Sequence, residues 1–430
     1  MRIVKSKKLP LNCAVIDLLL DWIEEVPISC LFTSNGHDDH YGSFEILLGV
    51  GAERILEASV GNAFSQLANF RSELNDWILG SLSYDLKNEL EDLDSQNNEE
   101  LDFPDLCFFQ PKKLIRIKGD KIEFLYLPAY TEEVETDFEN IFNSSASKEI
   151  IKFFEAPKIK MRFSKDRYCE HVSKMLDHIK RGDIYEANFC QEFYAEEKIN
   201  PISSFKKLNA LSEAPFATYL RLNDHYALCS SPERFLAKRG NQIISQPIKG
   251  TARRSADSVE DLKLAEQLAK DPKERTENIM ITDLVRNDLS KNAKKGSVKV
   301  KDLCKVYTYK QVHQMISTIT SLVEPESDSI ILIKNAYPMG SMTGAPKVSA
   351  MQIIEELEVT KRGLYSGSVG YFTPDGDFDF NVVIRSILYN SAKPYVSFSV
   401  GSAITAQALP QNEYEECLLK AKAMRETLDN

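Results

Sequence analysis

Residues 241–254 read Asn241-Gln242-Ile243-Ile244-Ser245-Gln246-Pro247-Ile248-Lys249-Gly250-Thr251-Ala252-Arg253-Arg254. The apolar pair at the start predicts a short strand. Pro247 ends ladder donation, and Gly250 lets the backbone approach a ligand closely. Lys249 stands between them, either as a solvated loop lysine or as an amine aimed into a site. Working outward, further strands are predicted at 188–194, 216–222, 226–230 and 234–238, and after the stretch at 368–373, 380–389 and 394–400. Helices are predicted between these blocks: Ser164–Arg181 capped by Ser164, Ser258–Ala269, Thr276–Val285, 345–358 and about Asn412 to Leu428. Pro346 sits near the start of its helix, where a missing N–H costs nothing. Strands in hairpin-like succession, with helices between blocks, predict an α+β fold with antiparallel sheets.

The N-terminal part follows the same grammar. Helical periodicity covers 13–25, and strands are expected at 28–33 and 43–49 around the turn-rich Ser34–Asp39. Trp77–Asp85 predicts a strand entering a helix, the acidic Lys87–Asp102 a solvated loop with a helical start, and 114–127 a hairpin turning at Gly119-Asp120. The polar run Asn143-Ser144-Ser145-Ala146-Ser147 predicts a boundary between residues 1–145 and 146–430.

Bulk properties exclude several classes. The chain has 430 residues, 43% hydrophobic and 27% charged, which is ordinary for a globular protein with a sizeable core. Its formal charge of -11, from 53 Lys+Arg and 64 Asp+Glu, argues against a general nucleic-acid binder. Eight cysteines are scattered without a Cys-x-x-Cys pair, the pattern of reduced thiols and not of a disulfide frame or zinc site. Neither a signal peptide nor a membrane span is legible, so a cytoplasmic location is expected.

Two carboxylate pairs carry chemistry. Glu274 and Glu277 stand three apart on one predicted helix, and Glu413 and Glu416 do so on another, so each pair shares a face. Two such faces meeting would suit Mg²⁺; the competing reading is solvated acid at helix starts, where it favours the macrodipole. Arg385 lies mid-strand in Val382-Val383-Ile384-Arg385-Ser386-Ile387, where a charge requires a carboxylate partner from protein or ligand. Glu233 falls in a turn between strands. Pro338–Lys347 is a glycine-bearing loop opening a helix, without the Gly-Lys-Ser/Thr ending of a P-loop.

In their order, Gly182-Asp183-Ile184-Tyr185, Ser231-Pro232-Glu233, Pro247-Ile248-Lys249-Gly250-Thr251, Glu277…Asp283-Leu284-Val285-Arg286-Asn287-Asp288-Leu289, Gly344-Ala345-Pro346-Lys347, Gly363-Leu364-Tyr365-Ser366-Gly367, Ile384-Arg385 and Glu413-Tyr414-Glu415-Glu416 resemble the chorismate-utilising enzymes. The resemblance covers about residues 160–428; before that it is carried only by Tyr84-Asp85 and its flanks. It implies one α+β body, a sandwich of antiparallel sheets with helices outside, in which 1–145 and 146–430 are subdomains. It implies Mg²⁺ held by Glu277 and Glu416, with Glu274 and Glu413 as accessory or water-mediated acids, gripping the ring carboxylate of chorismate. Arg385 and Tyr365 match residues that hold the enolpyruvyl carboxylate. Gly250, Thr251, Gly401 and Lys420 match positions lining the same pocket.

Within the family, Pro-Ile-Lys-Gly-Thr resembles the aminodeoxychorismate synthase component I branch, whereas the anthranilate synthase branch resembles Pro-Ile-Ala-Gly-Thr. That resemblance implies amination of chorismate at C4 with ammonia from a separate glutamine amidotransferase subunit, and no nucleic-acid or membrane partner. Lys249 would be a covalent nucleophile, neutral when it attacks, its pKa lowered by burial or by Arg253 and Arg254; Glu233 would be the acid. The rival readings are anthranilate synthase component I and a non-catalytic ligand-sensing subunit. Isochorismate and salicylate synthases carry a water-activating lysine in the segment matching Gly182–Asn188, where this chain has Glu186. Three departures stand out. Gly401-Ser402-Ala403 replaces Gly-Ala-Gly, and Ala406-Gln407-Ala408 replaces Ala-Asp-Ser. The family histidine aligns with Gln314, which leaves His313 one residue early: either off the site on the other face of a strand, or restored by a local irregularity.

Overall fold

The computed structural model describes residues 1–10, 14–143, 155–310 and 312–429. Its strands join one network whose ladders are antiparallel. The network divides at strand Leu106–Lys118. One edge runs along Ile46–Ala58; on the other edge its first half pairs with Ile78–Leu82 and its second half with Lys121–Tyr126. One layer continues through Ile28–Thr33, Phe216–Leu222, His225–Ser231, Ser386–Asn390 and Tyr395–Thr405 to Glu186–Ala195. The other continues through Ser368–Phe372, Phe378–Asn381, Arg234–Arg239 and Gln242–Gln246 to Val312–Leu322. That last strand also pairs with Ile248–Arg253 and Lys299–Thr308.

Two apolar clusters hold these layers. The first joins one layer to the other through Leu79, Phe108, Phe372 and Phe380 on one side and Cys30, Leu220 and Leu388 on the other. The second joins the first layer to helices Val15–Trp22, Lys165–Arg181, Pro201–Ser212, Lys347–Leu357 and Pro410–Leu428, through Leu19, Tyr168, Phe205, Ile354 and Met424. Strand Glu186–Ala195 shows the division: Ala187, Phe189 and Phe193 belong to the helix-side cluster, and Cys190 to the cluster between layers. Period-two alternation therefore turns Glu186, Asn188 and Cys190 toward the space between the layers. This is the α+β fold with antiparallel sheets that the sequence predicts, in the sandwich with helices outside that the resemblance implies.

Local signals explain the boundaries. Ser164 caps its helix by accepting from the Arg167 N–H, and Gly182 ends it with φ +86°. The helix expected at Thr276–Val285 spans Pro272–Ser290, because Asp271 caps it and Pro272 occupies its first position. Pro346 precedes the helix Lys347–Leu357 and does not lie within it.

The strand expected at 380–389 is two strands, Phe378–Asn381 and Ser386–Asn390. The halves belong to different layers, so the chain must turn between them, and Arg385 takes φ +53° in that break. Arg385 is thus not mid-strand. Helices Ala63–Leu74, Pro201–Ser212 and Ser329–Ala336 and strand Lys299–Thr308 were not anticipated.

Strand pairings cross the predicted boundary, Ile28–Thr33 with Phe216–Leu222 and Ile78–Leu82 with Ser368–Phe372. Apart from Asn143, the boundary segment lies outside the described residues. Among the described residues no helix is long and apolar enough to cross a membrane.

Candidate active site

Lys249 is delivered by an irregular strand. The register of Ile248–Arg253 against Val312–Leu322 shifts between Ile248 and Thr251, a bulge that re-aims a side chain. Gly250 has φ +97° there, and a Cβ on it would stand 3.1 Å from Glu274 Oε2 and 3.2 Å from Met315 Cβ. Both the conformation and the space require glycine. Asn278 pins the bulge: its amide donates to the carbonyls of Lys249 (3.1 Å) and Met315 (3.0 Å), and it accepts from Ser317 Oγ at 2.5 Å.

The lysine side chain is 12% exposed, and its Nζ lies 3.0 Å from Glu186 Oε1. Burial alone would lower the ammonium pKa, but Glu186, with Glu277 and Glu233 behind it, outweighs that and holds Lys249 above its ordinary value. Arg253 and Arg254 do not act on Lys249: they pair with Glu260 at 2.6 Å and with Asp261 at 2.8 Å. The expectation that they lower its pKa is therefore corrected, and the ligand-free lysine is charged.

Glu233 sits where the chain passes from strand His225–Ser231 to strand Arg234–Arg239. It is 4% exposed and accepts from Ser341 Oγ at 2.6 Å. Burial pushes its carboxyl up to about 7, against the opposing pull of Ser341 and Lys249. A turn acid with little meaning in sequence is thus a buried group poised to carry a proton near neutral pH.

The two carboxylate pairs meet. Burial pushes Glu277 up to about 7, with Lys249 and Lys273 opposing and Glu274 and Glu186 adding to it. Glu274 and Glu413 are also raised, first by burial and further by Glu416. Burial would raise Glu416, but Lys420 at 2.6 Å, with Lys273 and Lys249, holds it below its ordinary value. Acids that repel one another across two helices call for a cation. Among the described residues no group of three or more His, Cys, Asp or Glu side chains forms a ready metal cage. The set nevertheless fits a hard cation: Glu277 Oε1 is buried without a hydrogen-bond partner, and the Lys273 ammonium bridges the helices, 3.9 Å from Glu277 and 4.0 Å from Glu413.

Ser402, the departure from Gly-Ala-Gly, is fully buried and donates to Glu413 Oε2, so it anchors one acid of the set. Gly401 has no room for a side chain: a Cβ would stand 2.7 Å from Cys190 Sγ, and its carbonyl accepts from Lys420 Nζ at 2.9 Å.

Arg385 is half-buried and, among the described residues, has no carboxylate within 4.0 Å. Burial lowers its pKa, opposed by Tyr365 and Glu416, which shows that these three share one region. Tyr365 is buried, with its hydroxyl 3.5 Å from Cys190 Sγ. A guanidinium with no carboxylate partner among the described residues, held at a positive φ, is suited to receiving an anion. Thr251 is exposed and pairs with Gln314 across the ladder.

His313 is buried elsewhere in purpose: its Nε2 lies 3.0 Å from Asp261 and its Nδ1 2.9 Å from Thr308 Oγ1, in a network completed by Arg254. Sequence reasoning singled out Glu186 only as the place where a lysine is absent. It gave no site role to Lys273 or Ser341; alternation along Glu186–Ala195, polar against apolar, was the signal for Glu186.

A family model of chorismate binding enzymes matches residues 30–426, and the chain belongs to that family. Among its relatives, the aminodeoxychorismate synthase of Streptomyces griseus is 39% identical over 272 residues, 63% of this chain and 37% of that protein. Component 1 of the Bacillus subtilis aminodeoxychorismate synthase is 31% identical, over 82% of this chain and 76% of its own length. Anthranilate synthase component 1 of Thermus thermophilus is also 31% identical, over 82% and 77%. The chain spans only 37% and 42% of the aminodeoxychorismate synthases from Streptomyces griseus and rice. The fold is that of anthranilate synthase component I from Streptococcus pneumoniae (TM-score 0.75, 23% identity, 99% of this chain and 92% of that one) and of the isochorismate synthase MenF from Escherichia coli (0.76, 19%, 100% and 95%).

Proposed function

We propose that this chain is an aminodeoxychorismate synthase component I, which combines chorismate and ammonia into 4-amino-4-deoxychorismate. The observation that carries this reading is the Lys249 amine, buried beside Glu186 and in reach of the fields of Glu233 and Glu277. Arg385 and Tyr365 hold the enolpyruvyl carboxylate. Glu277 and Glu416, with Glu274 and Glu413 behind them, hold Mg²⁺, which when bound supplies a fixed positive charge for the ring carboxylate.

Lys249 attacks C2, the ring double bonds shift, and the C4–O bond breaks. Glu233 gives the departing hydroxyl its proton, so that it leaves as water. Ammonia then adds at C4, the double bonds shift back, and the C2–N bond to Lys249 breaks. A separate glutamine amidotransferase subunit supplies the ammonia, for folate-pathway 4-aminobenzoate synthesis in the cytoplasm.

The test is turnover by the purified chain with chorismate, Mg²⁺ and an ammonium salt, the product being identified by mass and fluorescence. The 4-amino product is expected, and glutamine should replace ammonium only when an amidotransferase is added. Fluorescent anthranilate as the sole product would establish the anthranilate synthase reading, which the Thermus thermophilus relative favours. Chorismate binding with no turnover would establish a sensing subunit.

A further inference from the structure

Among the described residues, Glu186 is the one buried carboxylate that touches Lys249. It opens strand Glu186–Ala195 with its side chain 2% exposed. One oxygen meets the Lys249 ammonium at 3.0 Å; the other, Oε2, is buried and has no hydrogen-bond partner among the described residues. The backbone around it is paired and closely packed. Strand Gly344–Ala345 pairs with Ala187 and Glu186, and a Cβ at Gly344 would stand 2.1 Å from the Glu186 carbonyl. A carboxylate fixed so closely against an amine, with a spare acceptor, is more than a counter-ion: it is in position to take a proton from that amine.

We propose that Glu186 accepts the proton that Lys249 must lose before it can attack the substrate, and returns it when the lysine departs. The inference rests on Lys249 acting as the nucleophile. In the resting site Lys249 and Glu186 form an ion pair. A proton moves from Nζ to Glu186 Oε1, which leaves a neutral amine and a neutral acid. The amine lone pair forms the Nζ–C2 bond, and the hydroxyl leaves C4 as water with the Glu233 proton. Nζ now carries two protons and a positive charge. Ammonia forms the C4–N bond, the C2–Nζ bond breaks, and Lys249 leaves as a neutral amine. Glu186 returns its proton to Lys249, and the new C4 ammonium gives one proton to Glu233. Chorismate and ammonia have become the amino product and water, and both acids are back where they began.

Glu186→Gln separates this role from simple charge pairing. Glutamine keeps the shape and a hydrogen-bond acceptor for Nζ but cannot take a proton. The groups facing Lys249 are Glu186, Glu277 and Glu233, and Glu186 acts most strongly among them to keep the lysine charged. If Glu186 only held that charge, its removal would free the amine, and kcat would hold or rise. If it accepts the proton, kcat falls at least about 100-fold, the range of general base catalysis. Chorismate KM should stay near wild type, and the ratio of wild-type to variant kcat at the same pH should narrow as pH is raised and solvent takes the proton instead. Glu186→Asp, which keeps a carboxylate one methylene short, should fall between the two. Chorismate binding followed by calorimetry shows that each variant is folded.

A kcat for Glu186→Gln at or above wild type, in a protein whose wild type makes the 4-amino product, overturns the proposal and leaves the proposed function standing. A wild type that makes no 4-amino product overturns both.

Discussion

Removing the Lys249 side chain should cost this protein stability as well as activity, and the structure sets the scale. In Lys249→Met the Glu186 carboxylate, 2% exposed, loses its ion-pair partner at 3.0 Å while its second oxygen already lacks a hydrogen bond. Breaking a buried pair from one side costs about 3–5 kcal/mol, because a charge stays buried and uncompensated. Lys249 is 12% exposed, so the lower end, about 3 kcal/mol, is expected at pH 7. With urea slopes above about 3 kcal/mol/M for a chain of this size, the urea midpoint should fall by up to about 1 M.

The double variant Lys249→Met/Glu186→Leu, which leaves no charge behind, should recover most of the midpoint at pH 7. Urea unfolding followed by tryptophan fluorescence and circular dichroism, in EDTA, reads all three proteins. A Lys249→Met midpoint equal to wild type at pH 7, or a double variant less stable than the single, would refute the claim that this is a tightly coupled buried pair.

Further predictions concern chemistry. Glu277→Ala and Glu416→Ala should each abolish turnover and remove the Mg²⁺ response while circular dichroism stays unchanged, as a cation bound by so few carboxylates loses affinity when one goes; solvated helix acids would leave rates near normal. Lys249→Arg should lose most of the 4-amino product, and chorismate without ammonia should leave a mass adduct on the wild-type Lys249 peptide. The kcat–pH profile should fall on the alkaline side with an apparent pKa about 7, because Glu233 must be protonated to act and is pushed up to that range by burial; Glu233→Gln should lose this limb. Arg385→Ala should raise chorismate KM about 10-fold or more, the scale of one charged hydrogen bond to a carboxylate of about 1.5–3 kcal/mol, read from initial rates against chorismate.

Much of this protein was legible before any coordinates. The hairpin-like run from 216 to 246, the acid pairs at Glu274/Glu277 and Glu413/Glu416, and the amine between Pro247 and Gly250 are local facts. Strand alternation, helix-face spacing and glycine permissiveness operate within a few residues, so the chain order alone exposes them. Tertiary structure decided the rest, because it depends on which segments face one another. Arg385 fell in a break and not in a strand, since its two flanking strands join different layers. Arg253 and Arg254 turned outward to Glu260 and Asp261, so sequence neighbours of Lys249 do not tune it. Its partner is Glu186, which is 63 positions away and becomes its neighbour only when strand Glu186–Ala195 and the bulge at Gly250 face the same space. Electrostatic coupling falls with distance in space and not along the chain, so the sequence could name the lysine, but only the fold could name the carboxylate that keeps it charged.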